Sequence, residues 1–476
     1  MKHIHLLTFI LLFPFLPCLA QEIDIKWASE GHSYYCIENN EIIRYDLPGK
    51  NRTVIASEKR LTPKGMTVPI HINNYTISSD EQKVLIFTNT AVVWRLDSKG
   101  DYWVLDIVKD SLQRLGKPFP WSSMMFAKFS PDSKRVAYVS RKNLYVEDLS
   151  TGRIDTLTRN GTKNLINGTF DYVYEEAFAC RDGFRWSPDG KSIAYWQIDA
   201  TKVRKYNLIN YTDSVYSQCV QREYPKVGED PPSARIGVVN LNNGLTTWMN
   251  IPGDPFQNYI VRMEYIPGAE KLLIQQLNRK QNIGKLLVAD IYSGNTSQIF
   301  EEKDDAWIEI FQPEDTYNID FTNTFQFSPE TNSILWFSEK DGWRHLYLIS
   351  LDGKHETLMT KGDFDILGLK FANINKGILY FMASPDNATQ KYLYRLNLIE
   401  DTFPALKTPK EMAGMNNYFF SADGLYAYHT FSNHLTRKAG EFIEIEGHKP
   451  VDQKESILAR FDSLQVKKNM EYFRIT

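Results

Sequence analysis

The sequence predicts an all-β fold, a β-propeller, on three observations. A short unit recurs along the chain: an aromatic residue, a serine, a turn of Pro/Asp/Gly type, then a strand rich in β-branched or aromatic residues. Where no copy is skipped, the spacing is about 50 to 60 residues, the size of one four-stranded blade. Long helical patterns are nearly absent. Aromatic residues make up 13% of the chain, which suits many short, half-buried strands. About eight blades of roughly 55 residues fill the length, and six or seven with long insertions also fit.

In chain order, Met1 to Ala20 reads as an export signal peptide. Lys2 supplies the positive start, Leu6 to Leu16 the apolar run, and Cys18-Leu19-Ala20 the small-residue cleavage site before Gln21. The run is short for a bilayer span, and Pro14 and Pro17 interrupt it. Pro17 also makes Cys18 a poor lipidation site, so a lipoprotein is the lesser reading. The expectation is an exported chain, periplasmic or extracellular, without a membrane span. The propeller is placed over 21–455. Its units appear at Ser79-Asp80 leading to VLIFT, at FSPDSKRVAYVS from Phe129, and at WSPDGKSIAYW from Trp186. They return at FSPETNSILWFS from Phe327 and FSADGLYAYHTF from Phe420. The stretch from Phe170 to Pro232 runs long between strand units and is assigned an insertion. One helical pattern stands out at Glu455 to Gln465, where Ile457, Leu458, Phe461 and Leu464 share a face. Residues 456–476 read as a stub, with Lys467 to Thr476 as a first strand leading toward a further domain.

Composition excludes several functions. A net charge of −3 with mixed signs argues against nucleic acid or an anionic membrane as partner. Outside the leader only Cys36, Cys180 and Cys219 remain, too few for a disulfide framework. A Cys180–Cys219 bridge is weaker than the expectation of unpaired, buried thiols. There is no HExxH, no Cys/His metal spacing and no phosphate-cradling glycine loop, so no metal and no cofactor are expected. His429 and His434, five apart, show no ligand pattern and read as packing or surface residues.

The most informative stretch is Asp171 to Tyr195, DYVYEEAFACRDGFRWSPDGKSIAY. Glu175 and Glu176 sit between aromatic residues on what reads as a short, irregular excursion beside a rigid turn and strand. Two carboxylates so placed suit a cation such as the free ammonium end of a peptide. An isolated Glu-Glu is more often a solvated surface pair.

Several segments in the same order then resemble the propeller domain of the dipeptidyl peptidase IV group of prolyl oligopeptidase-like serine peptidases. They are VWRLDSKGDYWVLDI from Val93, DYVYEEAF with FRWSPDGKSIAYWQID, REYPKVGEDPPSARIGVVNL from Arg222, QQLNRKQN from Gln275, and SEKDGWRHLYL from Ser338. The resemblance implies that the propeller caps a C-terminal α/β-hydrolase domain and that a double glutamate binds the substrate's α-amino group. Chains are then cut two residues from the N-terminus, usually after Pro or Ala. By that resemblance Glu175 and Glu176 are the amine carboxylates, and Arg95, after Trp94, is the arginine that contacts the substrate. The family commonly reads YEEEF, whereas this chain has Tyr174-Glu175-Glu176-Ala177-Phe178. Counted back from Trp186 the functional pair is Glu175 and Glu176. Counted forward from Tyr174 it is Glu176 and Ala177.

No G-x-S-x-G nucleophile elbow occurs in the chain, and Ser33 in Gly31-His32-Ser33 only imitates one. No catalytic residue is therefore assigned. The sequence points to a substrate-recognition and gating propeller, silent alone, that works with a hydrolase domain in cis or trans on peptides with a free N-terminus. The family's habit of dimerising extends to a homodimer here. The alternative is a periplasmic peptide- or protein-binding scaffold with no peptidase role.

Overall fold

In the computed structural model, residues 25–310, 326–329, 331–398 and 404–465 are described. The expected leader and the strand at Lys467 to Thr476 lie outside them. Among the described residues the strands group into eight successive antiparallel units, whose first strands begin at Lys26, Asn74, Met124, Leu165, Asn258, Gln326, Ile366 and Met415. The second and third units are bridged by a single Gly100–Met124 pair. In the fourth unit, Leu165–Asn167 and Phe184–Trp186 both pair along Ser192–Asp199.

Side chains, not strand exchange, join the units into a ring. Tyr35 and Ile42 of the first unit pack on Tyr75, Ile86 and Trp103 of the second. Equivalent apolar clusters join each later pair in turn. The last and first units then close on each other: Tyr34 stacks on Phe442 at 4.4 Å, and Trp27 Nε1 donates to the Phe419 carbonyl at 3.0 Å. Each sheet is thus covered on both faces. Its middle strands are buried in continuous runs, as in Ser333–Ser338, rather than alternating in and out.

The recurrent sequence unit has a local physical cause. Ser187 Oγ donates to Asp189 Oδ1 at 2.7 Å and accepts from Ser192 N at 2.9 Å, while Lys191 N donates to the same Asp189 oxygen at 3.0 Å. One serine and one aspartate therefore satisfy the turn's backbone donors and launch the next strand. Ser130/Asp132 and Ser421/Asp423 repeat the device, with Oγ–Oδ1 distances of 2.5 and 2.6 Å. In the second unit its serine is Ser78, at 2.5 Å from Asp80, one residue before the one the sequence pattern marks.

The insertion expected between Phe170 and Pro232 contains a separate hairpin, Lys205–Asn210 paired with Gln218–Glu223, which leaves the fourth sheet and is exposed along most of its length. The C-terminal helical pattern is shorter than its periodicity suggests. It forms a 3₁₀ turn over Leu458–Arg460 followed by a helical turn over Phe461–Leu464. Ile457 is buried against Met412 and Phe431, with Phe461 and Leu464 packed beside it, but Leu458 faces solvent.

Replacing Ser187 by Ala leaves the buried Ser192 N–H without its side-chain acceptor and is expected to cost about 1–3 kcal/mol. The check is the urea midpoint, which falls while the slope of the transition stays unchanged.

Candidate functional site

The glutamates do not lie on an irregular excursion: Tyr172–Phe178 forms a seven-residue helix, α1. Asp171 caps it, its carboxylate accepting from Val173 N at 3.2 Å and Tyr174 N at 3.3 Å. Ala179 ends it in the left-handed region at φ 54°. Two turns flanked by aromatic, strand-favouring residues are too short for helical periodicity to register, which is why pattern reading misses α1.

Tyr174 anchors the helix to the fifth unit. It is wholly buried, its hydroxyl accepts from Ile260 N at 3.1 Å, and its ring stacks on Phe170 at 5.6 Å. Phe178, one turn on, packs on Tyr259 at 4.8 Å. With Tyr174 and Phe178 turned inward, the intervening residues divide between the two faces. Glu175 is buried at 8% exposure, Glu176 is half-buried and Ala177 is exposed.

The two carboxylates therefore meet different partners. Glu175 Oε1 lies 3.6 Å from Arg181 Nε. Burial pushes its carboxyl up to about 7; adjacent Glu176 adds to the rise, and Arg181 and Lys142 oppose it. Glu176 Oε1 accepts from Arg95 Nε at 3.0 Å, and the Arg95 side chain is itself 78% exposed. The structure thus brings Arg95 to Glu176, 81 positions apart in the chain, while Glu175 turns to Arg181.

Arg95 is delivered by the turn between Lys83–Val93 and Leu96–Asp106, where Val93 pairs with Leu96. Trp94 takes φ 57° there, unfavourable for a bulky residue, and is held from outside. Its ring meets Tyr172 of α1 edge-on at 5.1 Å, and the Arg222 guanidinium lies over it at 5.4 Å. Tyr172 also contacts Tyr224 at 5.4 Å. Three segments thus converge around Glu176: the Trp94-Arg95 turn, α1 and the base of the inserted hairpin. Sequence reading misses Arg181, Lys142 and Tyr172 as parts of this site, although Arg181 sits inside the stretch it singles out and Arg222 inside a quoted segment.

Around the segment that follows α1, half-buried and buried ion pairs tie the third, fourth and fifth units. Lys128 Nζ meets Asp182 at 2.5 Å, and Arg185 Nε meets both oxygens of Glu264 at 2.9 Å. Other candidates from the sequence fall elsewhere. Ser33 is buried and bonded to Glu30. His429 is buried between Glu441 at 3.0 Å and Asn416 at 2.9 Å. Among the described residues the three cysteines are free, but only Cys36 and Cys180 are buried; Cys219 lies exposed on the inserted hairpin, contrary to the expectation that the thiols are buried. Among the described residues no group of three or more His, Cys, Asp and Glu side chains is placed to hold a metal ion.

A family described as the dipeptidyl peptidase IV (DPP IV) N-terminal region matches over residues 78–437. Dipeptidyl peptidase 4 of Trichophyton rubrum is 25% identical over 420 residues, covering 85% of this chain and 51% of that protein. Dipeptidyl peptidase 4 of Arthroderma otae is 25% identical over 438 residues, covering 88% and 54%. The chain thus spans about half the length of these curated relatives. The crystal structure of Porphyromonas gingivalis dipeptidyl peptidase 4 superposes with a TM-score of 0.82 at 22% identity, over 93% of this chain and 61% of that one. At that identity the superposition speaks for the fold.

Because the folded chain holds the Glu175 proton up to about 7 and an ordinary glutamate releases it near 4.5, this group's contribution to stability is complete at low pH. It drains away as pH rises between those two values. Glu175→Gln is expected to match the unmodified chain near pH 4.5 and to exceed it by about 1–2 kcal/mol near pH 8. Thermal or urea unfolding at the two pH values measures it.

Proposed function

Because the chain belongs to the family of the dipeptidyl peptidase IV N-terminal region, matched over residues 78–437, we propose that it is the substrate-recognition and gating part of an exported serine exopeptidase that releases N-terminal dipeptides. The ring over 21–455 admits and holds the peptide, after a leader over 1–20 directs export. Residues from 456 onward lead toward a hydrolase domain. The nucleophile, acid and histidine come from that domain, in the same polypeptide or in a second one.

One observation carries this reading: Glu176 and Arg95, from separate units, are held 3.0 Å apart on an exposed edge beside buried Glu175. A peptide ammonium entering there gains a charge-assisted bond to Glu176, and Arg95 is released to donate to a substrate carbonyl or carboxylate oxygen. Trp94, Tyr172 and Tyr224 offer apolar walls for the first side chains. Binding the charged terminus fixes the distance from the amine to the bond that is cut, so blocked chains and internal segments are disfavoured. No helix among the described residues is long and apolar enough to cross a membrane. The inserted hairpin leaves Ile209, Tyr211, Val215 and Tyr216 exposed, and we assign it to contact with a second copy of the chain.

Two measurements on the chain test this. Incubated with a dipeptidyl-prolyl chromogenic substrate it is expected to give no turnover above a blank, and turnover would contradict the division of labour. By calorimetry, a free-amine tripeptide with proline second is expected to bind at least about tenfold tighter than its N-acetylated form. Equal binding of the two would end the amine-site reading.

A further inference from the structure

The two glutamates of α1 are sequence neighbours, yet consecutive helical residues are rotated by about 100°. One anchored helix cannot present both carboxylates to the same opening equally. Here the rotation is fixed by Tyr174 and Phe178, which face the core. Glu175 follows Tyr174 inward to 8% exposure and finds Arg181, whereas Glu176 turns outward to Arg95. The next position on the open face is Ala177, which is exposed and carries no charge.

Resting on the amine-site reading above, we propose that the site has a single working carboxylate, Glu176. In this assignment Glu175 is the counter-ion of Arg181 and does not bind the substrate amine. Arg181 is the positioning residue that keeps it there, since a guanidinium only 15% exposed needs a fixed anion nearby. Lys142, whose charge also reaches Glu175, strengthens the inward preference. A ligand ammonium offered to Glu175 would have to displace a buried ion pair, while the same ammonium offered to Glu176 only exchanges with Arg95 on the surface. The substrate class follows from this arrangement. One carboxylate on an open face with an alanine beside it leaves room on the nitrogen, so a secondary amine such as an N-methylated or N-terminal proline residue is accepted nearly as well as a primary one. An acetylated, uncharged terminus is not.

The experiment measures, by calorimetry on the full chain, the affinity ratio between a free-amine tripeptide and its N-acetylated form across three variants. Glu176→Gln is expected to bring the ratio down about tenfold, toward unity, and Glu175→Gln to leave it within about twofold. Ala177→Glu, an exposed helix position that disturbs no packing, is expected to raise the ratio several-fold by adding the second carboxylate. An N-methylated tripeptide is expected to bind the unmodified chain within about threefold of the primary amine. Equal losses in Glu175→Gln and Glu176→Gln, or no gain in Ala177→Glu, would overturn the single-carboxylate assignment while leaving an amine site in place. A ratio of unity in the unmodified chain would instead remove the amine site itself. Because the ratio compares two ligands on the same variant, the change in stability of Glu175→Gln does not move it.

Discussion

The bond from Ile260 N–H to the Tyr174 hydroxyl, 3.1 Å long and wholly buried, decides what the outer face of α1 can do. A seven-residue helix has too little hydrogen bonding of its own to persist in water. It exists because Asp171 satisfies its first amides and because Tyr174 and Phe178 are clamped against the fifth unit. That clamp fixes the helix rotation, and the rotation sorts two chemically identical neighbours into an internal counter-ion and a surface acceptor. Had the tyrosine found no partner, the same sequence would present a pair of solvated glutamates with no preference between them.

The clamp in turn needs a rigid ring beneath it. Each sheet is stabilised by its neighbours, so closure between the last and first units, through Tyr34, Tyr428 and Phe442, is what covers the apolar faces those two sheets turn toward each other. The half-buried pair of Lys128 with Asp182 and the buried pair of Arg185 with Glu264 sit where the third, fourth and fifth units meet. Pairs of this kind add little net stability, but they penalise any slip that would separate the partners. The third, fourth and fifth units are therefore held in register around the segment that follows α1. Sites of recognition are commonly built in this way, on short loops and helices carried by a stiff scaffold.

Much of the scaffold is legible in the sequence because its cause is local. A serine and an aspartate two residues apart close each turn through bonds that span only a few residues. The motif therefore survives as readable text, displaced by one residue at Ser78. The inserted hairpin is legible as excess length between units. Helix α1 is not, since two turns leave no period to detect and its stability comes from residues some 86 positions away. The candidate site divides along the same line. Glu175, Glu176 and Arg95 can be named from the sequence, but the partition between Arg181 and Arg95 depends on a rotation set by tertiary contacts. The C-terminal pattern from Glu455 fails for a related reason: only Ile457, Phe461 and Leu464 find a surface to bury against, so the helix ends where the packing ends.

The most direct test of this account is a crystal structure of the chain bound to a free-amine tripeptide. The ammonium nitrogen is expected about 3 Å from Glu176 and out of contact with Glu175, with Arg181 still against Glu175 and Arg95 swung toward the peptide backbone. An ammonium shared evenly between the two carboxylates, or a peptide bound away from α1, would contradict it.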